Sequence, residues 1–190
     1  MTDEKGSLWI AKFPSANDEW DVGAWEFLVS RLAVASGLRV SDTRLERFSR
    51  TGSTFFSRRF DREGGSRIHY ASAMTMSGAS DGEEGYSYLD VAEFLVREGA
   101  RPDEDLAELW GRIVFSRLVG NSDDHLRNHG FILERGGWRL SPMFDVNPNP
   151  DAAFAALDLT PGWRALAQKL NIRRSEVDRM SQCFCKAEFR

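Results

Sequence analysis

The segment Gly120–Gly130, with the sequence GNSDDHLRNHG, carries two aspartates, two histidines and two asparagines. A second polar cluster, Phe144–Asn147, follows after an apolar stretch. Two carboxylates and an amide at one point, here Asp123, Asn128 and Asp145, suit Mg²⁺, which takes oxygen ligands and completes its shell with substrate phosphates. A nearby carboxylate that is not a ligand can orient a hydroxyl group and accept its proton. These are the parts of a phosphoryl-transfer site.

The elements around these clusters predict that they meet. An apolar helical pattern delivers the chain to Gly120, and two apolar runs flank the pair Gly136-Gly137, which is a strong hairpin signal. Because a short hairpin reverses the chain, Asp145 is expected to return near the loop that holds Asp123. The prolines within 147–150 exclude a helix there, so Asp145 is predicted to lie on a loop with restricted backbone.

The helix before Gly120 is predicted to begin at Pro102, with proline followed by acids, and to end near Leu118. Its spacing predicts a wide apolar face and a central, buried position in a second lobe. The residues assigned to that face are Leu106, Leu109, Trp110, Ile113, Val114, Arg117 and Leu118.

Upstream, residues 8–13 form a predicted strand with Lys12 near its end. Residues 22–36 have helical spacing, with Asp21 as the expected N-cap and Gly37 as the expected stop. A lysine on such a strand can hold phosphate oxygens. Glu26, early in the helix, either favours the helix dipole or pairs with Lys12.

The remaining pattern predicts further elements in chain order. Strands are expected at 44–48 and 54–60, and residues 63–87, rich in glycine, serine and acids, are expected to form loops and the boundary between two lobes. A helix capped by Ser87 or Asp90 is expected through residue 96. Amphipathic segments at 161–170 and 174–186 follow the second polar cluster.

Composition bounds the function classes. The chain has 190 residues, a net charge of −4 and 42% hydrophobic residues, which is ordinary for a globular protein. Direct nucleic-acid binding is not predicted, because no broad basic surface is encoded. No apolar run approaches membrane-spanning length, and two cysteines predict no disulfide framework. The chain is therefore interpreted as cytoplasmic.

Four motifs in order resemble one family. The segments Gly120–Asn128 and Met143–Val146 are similar to the catalytic and metal loops of HipA-type serine/threonine kinases, the toxins of bacterial toxin–antitoxin modules. The segment Trp9–Pro14 resembles the strand of the ATP lysine, and Glu26 matches the helix glutamate. Residues 58–62 resemble the interlobe hinge. The resemblance implies an α+β, protein-kinase-like two-lobe fold, with a small partial β-rich N-lobe at 1–62 and a mainly helical C-lobe at 63–190.

The resemblance also implies roles for single residues. Asp123 would be the base for the substrate hydroxyl, while Asn128 and Asp145 would hold Mg²⁺. The implied ATP contacts come from both lobes. They are Lys12 and Glu26 at the phosphates, His125 near them, the hinge backbone of Arg58 and Phe60 at the adenine, and Asp61 at the ribose. Arg127 takes the place of a basic residue in the family pattern.

The implied reaction moves the ATP γ-phosphate to a serine or threonine of a protein, in the family often a translation component. A DNA-binding antitoxin is the implied partner. Only eleven residues precede Lys12, whereas the family places a phosphate-covering loop and a small subdomain there. The sequence is therefore expected to be truncated at the N-terminus, with weakened positioning of the γ-phosphate.

Two other hypotheses fit parts of the pattern. A kinase remnant of weak or no activity could serve as a partner-binding module. A metal-dependent phosphohydrolase could use Asp123, Asp124, His125, His129 and Asp145 as ligands, although Lys12 and Glu26 would then have no role. In the kinase interpretation, Asp124 is a solvated loop acid or a turn cap, His129 is structural and His69 lies at the surface.

Overall fold

The computed structural model describes residues 1–4, 6–80, 85–149 and 163–184, with side chains described as far as Ser181. It contains fourteen named elements. The strands are β1 (Trp9–Lys12), β2 (Thr43–Glu46), β3 (Thr54–Arg58), β4 (Arg62–Glu63), β5 (Ser66–Arg67), β6 (Tyr70–Ser72), β7 (Gly130–Glu134) and β8 (Gly137–Leu140). The helices are α1 (Val22–Ala35), α2 (Ala73–Ser77), α3 (Tyr88–Glu98), α4 (Pro102–Leu118), α5 (Trp163–Lys169) and α6 (Arg174–Phe184).

The first part of the chain folds as a three-stranded antiparallel sheet, in the order β1-β3-β2, packed against α1. Lys12 lies opposite Phe55 in the register of β1 and β3. Gly23 permits the close approach of α1 to this sheet, because a Cβ atom there would lie 2.4 Å from the carbonyl oxygen of Ser53. The predicted strand, helix and hairpin of this region are confirmed.

The ends of α1 follow the predicted signals. Asp21 is the N-cap and accepts a hydrogen bond from the N–H of Ala24 at 3.2 Å. Beyond the last turn, Gly37 has φ of 84°, and the N–H of Leu38 donates to the carbonyl of Ala33 at 3.1 Å. A left-handed glycine with this bond satisfies carbonyl groups that a helix end leaves open.

A second antiparallel sheet, in the order β6-β7-β8, lies with α3 and α4. The predicted hairpin at Gly136-Gly137 joins β7 to β8. Ser87 and Asp90 form the reciprocal capping box of α3. The region 63–87 holds short elements, as expected. The predicted helix start at residue 161 and helix end at residue 186 lie outside the described residues.

The buried face of α4 differs from the prediction. Trp110, assigned to the apolar face, is 68% exposed, whereas Asp105 and Arg112 are 0% and 1% exposed. Charged residues can occupy the inward face of α4 because partners from other parts of the chain form ion pairs and hydrogen bonds with them. The buried residues of α4 are Asp105, Leu109, Arg112, Phe115 and Ser116.

Asp105 is the centre of that buried ion network. Its carboxylate accepts from Arg139 Nε at 2.7 Å, from Arg39 Nη2 at 2.6 Å and from the N–H of Leu140 at 3.1 Å. Arg112 donates to the carbonyl of Ser141 at 2.7 Å. The network therefore fixes the segment that leads from β8 toward the predicted metal loop. It also fixes Arg39, which precedes β2.

The larger apolar core joins α1 to later parts of the chain. Residues of α1 pack there with the end of α4, the segment after β8, and α5 and α6. The buried members are Ala24, Trp25, Leu28, Val29, Leu32, Ala33, Phe115, Val119, Met143, Val146, Trp163, Ala167, Ile172, Val177 and Met180. Hence α1 is held from the sheet on one side and from the C-terminal helices on another.

One buried carboxylate completes the contact between α6 and α1. Glu176, 5% exposed, accepts from the N–H of Asp21 at 3.0 Å and from Trp25 Nε1 at 3.2 Å. The same residue pairs with Arg173 at 2.5 Å. Because Asp21 is the N-cap, α6 holds the start of the helix that carries Glu26.

No described helix is long and apolar enough to span a membrane.

Replacing Asp105 by alanine is expected to destabilise the fold by about 3–5 kcal/mol, because the substitution leaves the buried Arg139 without its main partner. Urea unfolding followed by tryptophan fluorescence measures the change. Asp103→Ala is the matched control, since Asp103 lies exposed in the first turn of the same helix. The control is expected to cost about 1 kcal/mol at most. An equal loss of unfolding free energy in both variants would contradict the role assigned to the network.

Candidate active site

A cleft of about 390 Å³ lies between β1, the first turns of α1 and the C-terminal end of β3. Six of the nine predicted site residues line it, and five neighbours that the sequence did not single out complete its wall. The predicted residues are Lys12, Glu26, Arg58, Phe60, Asp61 and Asp145. The additional ones are Ile10, Ser57, Arg59, Tyr70 and Phe144.

Lys12 is the charged centre of the cleft. Its Nζ donates to Glu26 Oε1 at 2.7 Å and to Asp145 Oδ1 at 2.5 Å. Burial alone would lower the pKa of Lys12, but the two carboxylates raise it above its ordinary value. The ammonium group therefore stays charged and leaves the group of three with one net negative charge when both acids are ionised.

Glu26 lies deep in the cleft, with 3% of its side chain exposed. Burial raises the pKa of this carboxyl to about 7, against the opposing effect of Lys12. A buried carboxylate is stable only beside a partner, and Lys12 is that partner here. Glu26 thus fixes the direction of the lysine side chain across the gap between β1 and α1.

Asp145 lies on the loop that follows β8, in left-handed backbone with φ of 56°. Aspartate and asparagine tolerate this conformation better than other side chains. The loop is anchored through Met143, whose N–H donates to the carbonyl of Arg39 at 2.7 Å and whose carbonyl accepts from Ser41 at 3.2 Å. These bonds carry Asp145 to the mouth of the cleft, where 41% of its side chain is exposed.

The hinge segment combines a polar edge with an aromatic wall. The N–H of Arg59 donates to the carbonyl of Leu8 at 2.8 Å, whereas the peptide groups of Phe60 make no hydrogen bond within the described residues. The Phe60 ring lies 5.5 Å from that of Tyr70 and 5.6 Å from that of Phe144. A flat apolar ring can pack against such an aromatic wall while free peptide groups bind its polar edge.

Asp61 is held by two arginines. Its carboxylate accepts from Arg59 at 2.8 and 2.6 Å and also from Arg62. The hydrogen bonds from Arg59 lower the pKa of Asp61 despite its partial burial. Arg58 instead points away, pairing with Asp42 at 3.1 Å in a largely exposed contact. Asp61 therefore offers an ionised carboxylate at the cleft, and Arg58 offers its backbone.

The other three predicted residues, Asp123, His125 and Asn128, lie on the loop of residues 120–129, named here the Gly120 loop. The loop begins where Gly120, with φ of 67°, ends α4, and the N–H of Asn121 returns to the carbonyl of Ser116 at 2.9 Å. None of the three lines the cleft. Asp123 projects outward, with 83% of its side chain exposed.

Two hydrogen bonds join the Gly120 loop to the loop of Asp145. The N–H of Asn149 donates to the carbonyl of Gly120 at 2.9 Å, and its side-chain amide donates to the Ser122 hydroxyl at 2.7 Å. Within the Gly120 loop, Asn128 Nδ2 donates to the carbonyl of Asp123 at 2.9 Å. This bond leaves the amide oxygen of Asn128 as the atom available to a cation.

The donor set near Asp145 fits Mg²⁺. Asn147 Nδ2 lies 3.3 Å from Asp145 Oδ1, while Asn147 Oδ1 is buried with no hydrogen-bond partner in the described part of the chain. An amide oxygen without a donor, two residues from a carboxylate in the chain, is the type of ligand that Mg²⁺ takes, and Mg²⁺ uses few protein ligands besides water and phosphate. Asn147 is a site candidate that the sequence placed in the polar cluster without assigning a role.

The histidine–carboxylate alternative lacks a ligand set. Across residues 1–4, 6–80, 85–149 and 163–184, no three His, Cys, Asp or Glu side chains form a group that could hold a metal ion. His129 is buried and bonded to Asp124 at 2.7 Å, as a structural residue would be. Asp124 is not a solvated acid, because it is largely buried between His129 and Tyr88. His69 is exposed, as predicted.

The HipA-like C-terminal domain family matches residues 1–188, and the chain belongs to that family. Among its curated relatives, the Sinorhizobium fredii protein named "Putative kinase Y4mE" is 31% identical over 150 residues, which cover 72% of this chain and 33% of that protein. A Haemophilus influenzae protein named "Putative kinase" is 33% identical over 86 residues, covering 43% and 25%. The chain thus spans about a third or less of the length of these relatives.

Two solved structures share the fold. HipA of Shewanella oneidensis, determined with HipB and operator DNA, has a TM-score of 0.65 at 19% identity and is matched over 92% of this chain and 49% of its own. The Helicobacter pylori proinflammatory kinase CtkA has a TM-score of 0.62 at 18% identity, over 98% and 62%. The predicted α+β, protein-kinase-like fold is confirmed. The boundary between lobes at residues 62 and 63 stays a prediction.

The raised pKa of Glu26 predicts a pH dependence of stability. Because the folded pKa of about 7 exceeds the ordinary value of 4.5, the contribution of Glu26 is fully present below about 4.5 and is lost as the pH rises through 7. The free energy of unfolding is expected to fall by about 1–3 kcal/mol from this group between pH 5 and pH 8. Glu26→Gln is expected to remove that slope.

Urea titrations at four pH values across this range measure the slope. Glu46→Gln is the matched control, since Glu46 is an exposed carboxylate of β2 that lies outside the cleft. Parallel pH profiles for the wild type and Glu26→Gln would show that the buried carboxyl does not titrate in this window.

Proposed function

We propose that this chain is the core of an ATP-dependent serine/threonine protein kinase of HipA type, which transfers the γ-phosphate of ATP to a protein hydroxyl. The observation that carries the proposal is the contact of Lys12 with both Glu26 and Asp145 at the wall of the 390 Å³ cleft. Membership in the HipA-like family and relatives named as kinases support it.

The position of each group supports the role that we propose for it. The aromatic wall of Phe60, Tyr70 and Phe144 packs against the adenine, the free peptide groups of Phe60 bind its polar edge, and Asp61 faces the ribose. Lys12 holds phosphate oxygens once Asp145 is released from it, and Glu26 keeps the ammonium group directed into the cleft. These contacts orient the nucleotide, and positioning supplies much of the catalysis in phosphoryl transfer.

The acceptor side of the reaction belongs to the Gly120 loop. Asp123, exposed on that loop, orients the substrate hydroxyl and accepts its proton at the carboxylate. Asn128 and Asp145, with Asn147 next to Asp145, would hold Mg²⁺, which when bound neutralises phosphate charge. His125 lies 3.6 Å from Asp123 and 3.4 Å from Arg127, so it adds polar contacts at the loop that meets the phosphates.

The cellular role is proposed from the same family. The chain acts as the toxin of a toxin–antitoxin pair in the cytoplasm, with a translation component as the proposed class of substrate. The Shewanella oneidensis neighbour was solved with HipB and operator DNA, which supports a DNA-binding antitoxin as the partner here. The chain itself is proposed to make no direct contact with nucleic acid or membrane.

The variants Asp123→Asn and Asp145→Asn distinguish nucleotide binding from phosphate transfer. Asp123→Asn is expected to reduce phosphate transfer by about 10²–10⁴-fold and to keep the thermal shift caused by Mg²⁺ and ATP. Asp145→Asn is expected to lose both, because it removes the carboxylate while asparagine still tolerates the left-handed backbone. Scanning fluorimetry measures binding, and labelled ATP with a bacterial extract, followed by mass spectrometry of phosphoserine and phosphothreonine, measures transfer.

Asp103→Asn serves as the control, because Asp103 is an exposed acid of α4 outside the cleft and the Gly120 loop. It should match the wild type in both assays. If wild-type protein shows no thermal shift with Mg²⁺ and ATP, the proposal is wrong. A shift without any transfer would instead identify a nucleotide-binding module that acts through a partner.

A further inference from the structure

The side chain of Asp123 has little to hold it. It is 83% exposed, and within the described residues the ring of His125, at 3.6 Å, lies near its carboxylate. Its position therefore depends on the backbone of the Gly120 loop. That loop is not a helix or a strand, so its backbone must be fixed by contacts from neighbouring residues.

The next residue, Asp124, is fixed from two sides. Its Oδ2 accepts from the hydroxyl of Tyr88 at 2.7 Å, and its Oδ1 lies 2.7 Å from His129 Nε2. Only 10% of its side chain is exposed. Burial alone would raise the pKa of Asp124, yet the hydrogen bonds and the charge of His129, with bonds from Tyr88 and Ser116, lower it. Asp124 is thus an ionised acceptor held between α3, α4 and the end of the Gly120 loop.

Its two main donors are themselves rigid. Tyr88 is the first residue of α3, directly after the N-cap Ser87, and its ring meets the His129 ring edge-on at 5.4 Å. Burial and the contact with Asp124 raise the pKa of Tyr88, so its hydroxyl remains a donor. The carbonyl of His129 accepts from the N–H of Ala73 at 2.7 Å, which ties the far end of the loop to α2.

We infer that Tyr88, Asp124 and His129 form a positioning device for Asp123. The buried Asp124 carboxylate anchors the peptide that joins residues 123 and 124, so the Asp123 side chain is presented outward from a fixed point. The inference rests on the proposed kinase function for its catalytic consequence. Its structural consequence, a loop held by the Tyr88 hydroxyl, is independent of that function.

Tyr88→Phe removes the hydroxyl and keeps the ring against His129. The turnover number for phosphate transfer is expected to fall about ten- to a hundredfold, because a small displacement of a catalytic group has a cost of that order. KM for ATP is expected to stay unchanged, since none of the three residues lines the cleft. Asp124→Asn, which replaces one acceptor by a donor, is expected to lose at least as much turnover.

Tyr86→Phe is the matched control, because Tyr86 lies two residues away and its hydroxyl makes no hydrogen bond in the described structure. It should leave turnover and KM at wild-type values. All assays are run well below the melting temperature of each variant, so that loss of folded protein does not contribute. Equal turnover in Tyr88→Phe and Tyr86→Phe would overturn the inference.

Hydrogen exchange provides a readout that needs no activity. The backbone amides of Asn121 and Asn128 lie near the two ends of the Gly120 loop and donate to the carbonyls of Ser116 and His125 at 2.9 and 2.8 Å. Their exchange is expected to become about tenfold faster in Tyr88→Phe and to stay unchanged in Tyr86→Phe. If the wild type transfers no phosphate, the proposed function fails, and unchanged exchange in Tyr88→Phe separately refutes the anchoring of the loop.

Discussion

The ammonium group of Lys12 is the charge on which the cleft depends. Its contacts with Glu26 and Asp145 connect an edge strand, a buried helix and a loop more than a hundred residues later in the chain. Without this ammonium group, Glu26 would be a costly buried charge. Asp145 would also lose the contact that joins its loop to the first sheet. Two other features of the fold support these contacts. Gly23 allows α1 to approach β3, and the Asp105 network fixes the segment that leads to Asp145.

The cleft and the carboxylate of Asp123 are held in place by different parts of the fold. The cleft is made by side chains of a sheet, a helix and a hinge, which pack against one another. Asp123 lies outside that cavity on a loop whose order comes from buried polar contacts of Asp124. This division allows the cleft and the Gly120 loop to change independently of one another.

Much of the fold could be predicted because its signals are local. Asp21 and Gly37 mark the ends of α1, and Gly136-Gly137 marks the hairpin that brings Asp145 back. The buried face of α4 could not be predicted in the same way. Charged residues such as Asp105 are assigned to solvent unless their partners are known, and Arg39 and Arg139 are distant in sequence. Tyr70 and Phe144 were missed as cleft residues for the same reason, although the period of two in β1 could have placed Ile10 beside Lys12.

The bond from Asp21 to Glu176 spans 155 residues and gives the order of synthesis a role in assembly. At about 5–20 residues per second, Glu176 is added roughly 8–30 s after Asp21. Throughout that interval the ribosome carries a chain with β1 and the sequence of α1 already made, but without the carboxylate that binds the start of that helix. Contacts so distant in sequence form late and slowly. The helix that carries Glu26 thus reaches its native setting only when α6 has been made.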